Sequence, residues 1–173
     1  MPPSLLRFYT GGTDDRGRTL DDILAWNNVR LEAVHDYIQW LFPLPEPSAF
    51  NTSAPRLSAQ DIAAFRDDPA LQGRLLAAFR RMLEFYGFEL GGDDARPEVL
   101  ETRDPAARAR AWLTPGNHNM LRITRILRCL TLLGLTAHAR AFLAALERLY
   151  GAGAAPIIGA VTMRYWRDAV TVA

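Results

Sequence analysis

Lysine is absent from this chain of 173 residues. Its absence excludes a Schiff-base lysine, a phosphate-loop lysine and a lysine general base. All 20 basic side chains are therefore arginine. Together with abundant Ala, Gly and Pro, this is what codon bias in a GC-rich, bacterial-type genome produces. The alternative is that some guanidiniums grip anions bidentately, which lysine cannot do. Cysteine is nearly absent: Cys129 stands alone, so no internal disulfide is expected. Its apolar surroundings make it a small core residue of a protein in a reducing, cytoplasmic compartment. Histidine is scarce as well. No two of His35, His118 and His138 have helical ligand spacing, so neither a metal site nor a cofactor is expected. Long apolar runs are missing too. The start, MPPSLLRFYTGG, carries Arg7 inside a short apolar stretch and does not read as a secretory signal. The longest late uncharged run, Leu149 to Met163, is 15 residues and holds Gly151, Gly153 and Pro156. A membrane span needs about 20 residues, so no transmembrane segment is expected.

What is present reads as a globular domain. The apolar fraction is 49% and the charged fraction 23%, near the soluble average. The length suits a single domain covering 1–173. The net charge of +1 conceals an asymmetry. Residues 1–102 hold 10 Arg against 16 acidic residues, a net of −6. Residues 103–173 hold 10 Arg against 3, a net of +7. Two readings follow: an anion-binding end, or complementary halves packed together.

Apolar spacing is helical almost throughout, and no convincing alternating strand stands out. Thr19 with Asp22 makes an approximate capping box, and Ser58 with Asp61 another. A helix is expected from about Asn28 to Leu41. Four prolines in residues 43–57 keep that stretch extended, with Phe50 and Leu57 available to pin it to the core. Asp68–Pro69 restarts a helix whose stripe is Leu71, Leu75, Phe79, Met82, Leu83 and Tyr86, ending before Gly91–Gly92. Residues 91–103 read as loop, and Asp104–Pro105 opens a short helix to about Leu113. Asn117 caps a long helix ended by Gly134, and Thr136 caps one ended by Gly151. A last helix follows Ala155–Pro156 and is expected to bury Ile158, Val161 and Tyr165. The expected fold is all-α, a single-domain irregular bundle of about seven to eight helices.

Two segments carry polar residues in odd places. In NNVRLEAVHDYIQWLFP, a helical wheel puts Glu32, His35, Asp36 and Gln39 in a narrow wedge, with Trp40 on its far side. Either this helix is buried on two sides, or Trp40 lines a groove. In NHNMLRITRILRCL, His118, Arg122, Arg125 and Arg128 climb one side among Leu121 and Leu132. Guanidiniums among leucines need partners. These are acids such as Asp36 or Glu32, an anion held by Asn117, His118 and Asn119 at the helix start, or solvent if the ladder is simply exposed.

The strings HDYIQWLFPLPEPSAFN and NHNMLRITRIL, with DDILAWNNVRLEAV upstream and LLGLTAHARAFLAAL and MRYWRDA downstream, together resemble the conserved region of the opioid growth factor receptor family. The resemblance covers about residues 7–168. It implies a homologous fold and receptor-type signalling activity, with a peptide or protein ligand as partner. Vertebrate members are described as receptors for an enkephalin pentapeptide that restrain proliferation at the nucleus and its envelope. They carry long additional C-terminal sequence. The family supplies no catalytic residue to carry over. Its marked polar and aromatic positions fall on His35 through Pro43 and Asn117 through Leu127.

No catalytic motif of a known type occurs, and Cys129 lies about 16 Å along its helix from His118 at 1.5 Å per residue. The chain is therefore expected not to be an enzyme. The candidate ligand-binding residues are His35, Asp36, Gln39, Trp40, Asn117, His118, Asn119, Arg122 and Arg125, for a peptide or small anionic ligand. The alternatives are anion or nucleic-acid binding through the Arg-rich C-terminal half, or a structural interaction module. Interleaved leucines and the lack of basic loops speak against nucleic acid.

Overall fold

The computed structural model describes residues 4–171, with the side chains of residues 105–108 outside that description. The chain divides into two compact units, Met1–Arg81 and Met82–Ala173.

In the first unit, short helices follow one another: α1 (Leu5–Tyr9), α2 (Leu20–Leu24), α3 (Asn28–Ala33), α4 (Ile38–Leu41) and α5 (Ala59–Asp67). The long α6 (Pro69–Tyr86) then starts here and runs into the second unit. Both capping boxes form. Thr19 and Asp22 exchange side-chain and backbone bonds at α2, and Ser58 and Asp61 do so at α5. The Asp68 carboxylate accepts from the Ala70 N–H at 2.8 Å, opening α6 at Pro69. An aromatic cluster fills the core: Phe8 lies 5.3 Å from Trp40, and Tyr9 4.7 Å from Phe65. The Tyr9 hydroxyl donates to the Leu41 carbonyl. The proline-rich stretch is not extended as expected: it is a bent loop with a turn at residues 51–54, its ends held together by a bridge between Leu44 and Arg56. Leu57 is buried beneath it, but Phe50 is 83% exposed and pins nothing.

The Asp22 carboxylate at α2 has a consequence for pH. The Thr19 backbone N–H donates to it at 2.8 Å, and this bond, with the Thr19 side chain, holds the carboxyl below its ordinary range. A carboxyl that loses proton affinity on folding favours the folded chain when ionised. Its help is complete above the unfolded-state value and is lost as pH falls through the lowered folded one. An NMR titration should place the Asp22 midpoint below that of a free aspartate, and Thr19→Ala, which removes the side-chain bond but keeps the backbone N–H, should move it only part of the way back up. A parent-chain midpoint at or above that of free aspartate would remove this account.

The expected helix from Asn28 to Leu41 does not form as one piece. Val34 is extended (φ −95°, ψ 132°), and α3 and α4 lie on either side of it. Tertiary bonds impose the break. The Tyr37 hydroxyl donates to the Leu31 carbonyl at 2.9 Å, while Asp36 takes Arg16 at 2.5 Å and Arg18 at 2.8 Å. The polar wedge read from a continuous wheel therefore does not exist.

In the second unit, α6 stops at Tyr86 because Gly87 adopts φ +91°. Two strands follow, β1 (Phe88–Gly92) and β2 (Pro97–Glu101). They pair antiparallel, from Phe88 opposite Glu101 to Gly92 opposite Pro97. This hairpin overturns the all-α expectation: the fold is mostly helical with a small two-stranded sheet. Its turn is built locally. The Asp93 carboxylate accepts from the N–H groups of Ala95 and Arg96, and Gly92 sits at φ +73°, where a Cβ would strike the Arg96 carbonyl.

Helices α7 (Pro105–Trp112), α8 (Asn119–Leu132), α9 (Thr136–Leu149) and α10 (Ala155–Ala169) complete the unit, with a π-helical turn at Tyr150–Ala154. Among the described residues that makes ten α-helical segments against the expected seven or eight, because the N-terminal region breaks into pieces of six residues or fewer. Met120, Ile123, Ile126, Leu127 and Leu130 of α8 are buried as expected, with Cys129. Burial pushes the Cys129 thiol up, with the Arg125 charge opposing. The face expected for α10 is only partly right. Ile158 is buried, but Val161 is 57% and Tyr165 56% exposed. Gly159 departs from helical geometry (φ 77°, ψ 153°), so the wheel slips there and Met163, Trp166 and Ala169 take the core positions. By length and composition alone, the stretch Thr136–Ala169 could cross a membrane. It is not one uninterrupted helix, since Gly153 (φ 122°) and Gly159 break it.

Candidate functional site

The polar residues of the first unit gather on Arg18. Asp14, 2% exposed, accepts from the Arg16 and Arg18 backbone N–H groups at 2.9 Å and from Arg18 Nε at 2.7 Å. Arg18 NH1 reaches Asp36 at 2.8 Å, and its guanidinium lies 5.5 Å from the Trp26 ring. Arg30 covers the same ring at 4.2 Å. Burial alone would weaken the hold of Arg18 on its proton. Hydrogen bonds to Asp36 and Asp14 outweigh that and raise it. The arrangement is a charge-compensated clamp on the loop before α2. Of the residues singled out by sequence, Asp36 belongs to it and His35 is exposed beside it. Trp40 and Gln39 lie in the core at 2% and 4% exposure, so neither stands at a groove rim. Trp40 Nε1 and Gln39 Oε1 are both buried without a hydrogen-bond partner.

The second singled-out segment is a polar network at the start of α8. Asn117 Oδ1 accepts from the Asn119 backbone N–H and from Asn119 Nδ2, both at 2.9 Å. Asn119, fully buried, accepts in turn from Arg122 NH1 at 3.3 Å and from the Tyr86 hydroxyl at 3.5 Å. The His118 ring lies 3.5 Å from Asn119 Nδ2. Arg122 is 5% exposed and Arg125 half-buried. Asn117, His118, Asn119 and Arg122 are thus brought together, as a mutually bonded network that ties the α7–α8 turn to the end of α6. Trp112 reinforces the junction by donating to the Tyr86 carbonyl at 3.0 Å.

The open site of this unit lies elsewhere. A groove of about 610 Å³ is lined by Pro97, Glu98, Val99, Leu100 and Glu101 of β2, by Ala141, Ala144 and Arg148 of α9, and by Ala152. Positions 141, 144 and 148 share one helix face, and small alanines let the strand come close while leaving space above. Val99 is buried, and its carbonyl accepts from Arg148 NH2 at 2.6 Å. Sequence reading missed this site because it placed β2 in a loop. The available signal was the alanine spacing on α9.

Among the described residues, no group of three or more potential metal ligands occurs. The model for the opioid growth factor receptor conserved region matches residues 5–168. This chain belongs to the opioid growth factor receptor family. It is 41% identical over 130 residues to the opioid growth factor receptor of Rattus norvegicus, covering 69% of this chain and 20% of that protein. It is 38% identical over 135 residues to opioid growth factor receptor-like protein 1 of Xenopus tropicalis, covering 75% and 25%. The Mus musculus counterpart is 36% identical over 142 residues, covering 76% and 28%. The chain thus spans between 20% and 28% of the length of these relatives. No solved structure matches it.

Proposed function

We propose that this chain is a non-catalytic, receptor-type recognition domain that binds a peptide in the groove between β2 and α9. One observation carries the reading: a groove of about 610 Å³ that combines a strand, a small-residue helix face and charged side chains. Such a combination suits extended peptide rather than a compact metabolite. Kinship with proteins named as receptors supports the same reading. The alternative, an anion or nucleic acid on the Arg-rich half, finds less support. Arg122 donates to Asn119, Arg148 to the Val99 carbonyl and Arg167 to Glu147, so these guanidiniums already have partners.

Titrating the isotope-labelled chain with short peptides of differing charge tests the reading. Amide shifts should concentrate in residues 97–101 and 141–152. Saturable shifts confined to other residues, or none with any peptide, would overturn it.

A further inference from the structure

We infer that the occupant of this groove is an extended basic segment, laid along the outer edge of β2 with its cationic side chains on Glu98 and Glu101. The inference rests on the groove reading above and names the chemistry of its ligand.

The groove follows the strand edge. In a strand, Glu98 and Leu100 face one side and Val99 and Glu101 the other. All four line the groove, as they do when it runs along the strand's edge. The register tells which main-chain groups point out. The Thr102 N–H donates to the Gly87 carbonyl at 3.0 Å, and Asp93 and Arg96 exchange backbone bonds at the turn. In an antiparallel pair these bonds alternate, so Glu98 and Leu100 bond to β1. Pro97, Val99 and Glu101 turn their main chains outward. Pro97 has no N–H. The Val99 carbonyl is closed by Arg148. Glu101 is exposed, so its outward N–H and carbonyl can receive a third strand.

Charge selects the occupant. Residues 84–104 hold seven carboxylates, Glu84, Glu89, Asp93, Asp94, Glu98, Glu101 and Asp104, against Arg96 and Arg103. All seven are exposed. Among the described residues, neither Glu98 nor Glu101 makes an ion pair. The cation in the lining, Arg148, already donates to Val99. An acidic segment would meet like charge at both rims, and a basic one finds two carboxylates that are unpaired among the described residues.

Fluorescence polarisation on the whole chain, with three labelled octapeptides, decides the matter. These interleave pairs of valine with pairs of arginine, of glutamate or of serine, so that each type falls on both faces of an extended chain. The arginine peptide should bind most tightly and weaken as salt rises. In the surface variant E98Q/E101Q its affinity should fall about tenfold, while the serine peptide is unaffected. Equal affinity of parent and variant for the arginine peptide would overturn the inference, as would preference for the glutamate peptide. If a neutral or acidic peptide perturbs residues 97–101 and the basic one does not, the basic occupant is wrong and the groove stands. If none does, both fall.

Discussion

Trp166→Ala is expected to destabilise the chain by about 4 kcal/mol, within the range for emptying a fully buried tryptophan site. The indole is 0% exposed, and its Nε1 donates to the Met120 carbonyl at 3.1 Å, joining α10 to α8. Truncation removes the packing, opens a cavity and takes one of two side-chain donors from a carbonyl that keeps the Thr124 hydroxyl at 3.1 Å. Total stabilities of about 5–15 kcal/mol make this a large fraction. Urea denaturation should show a strongly lowered midpoint. Trp166→Phe keeps much of the ring volume and should lose about half as much. A loss below about 1 kcal/mol for the alanine variant would mean that α10 does not lean on this contact.

The second large effect is expected from Asp14→Ala, at about 3 kcal/mol. The Asp14 side chain is fully buried and accepts three N–H bonds, two from backbone and one from Arg18. Its removal leaves Arg18 on Asp36 alone, with Nε stripped and NH2 already buried without a partner. Much of the cost is thus the stranded guanidinium. Arg18→Ala in the same chain should therefore recover part of it, giving a coupling of about 2 kcal/mol in a double-mutant cycle. Strict additivity of the two substitutions would show that Asp14 acts only through the turn backbone. The Asp22 titration and the peptide experiments probe the cap and the groove independently.

The charge asymmetry seen in the sequence acquires a local meaning. The expectation that Asp36 serves the α8 arginines gives way to its pairing with Arg16 and Arg18 nearby in the chain. The excess of acid before residue 103 owes much to the hairpin and its flanks, where the carboxylates are exposed. The lysine-free composition thus coexists with an acidic surface feature on an Arg-rich unit, and the peptide proposal uses that feature.

How far the sequence reached depends on the range of the interaction concerned. Caps at Thr19, Ser58 and Asp68, the buried stripe of α6, the core face of α8 and the stop at Gly134 were all legible. Each is settled by neighbours within one or two helical turns. The family, too, was readable from its strings, and the conserved-region match bears it out. Tertiary structure alone decided the rest. Bonds from Arg16, Arg18 and Tyr37 break the helix at Val34, although local periodicity supports continuing it. One glycine, Gly159, rotates the later face of α10 and exposes Val161 and Tyr165. The hairpin is too short for alternation to announce it, and only pairing between residues up to 13 apart makes Pro97–Glu101 a strand. The groove exists because that strand meets α9 about 40 residues later along the chain. Short-range capping and periodicity are written residue by residue; which distant segments compete for the same hydrogen bonds and core positions is settled only when the chain has folded.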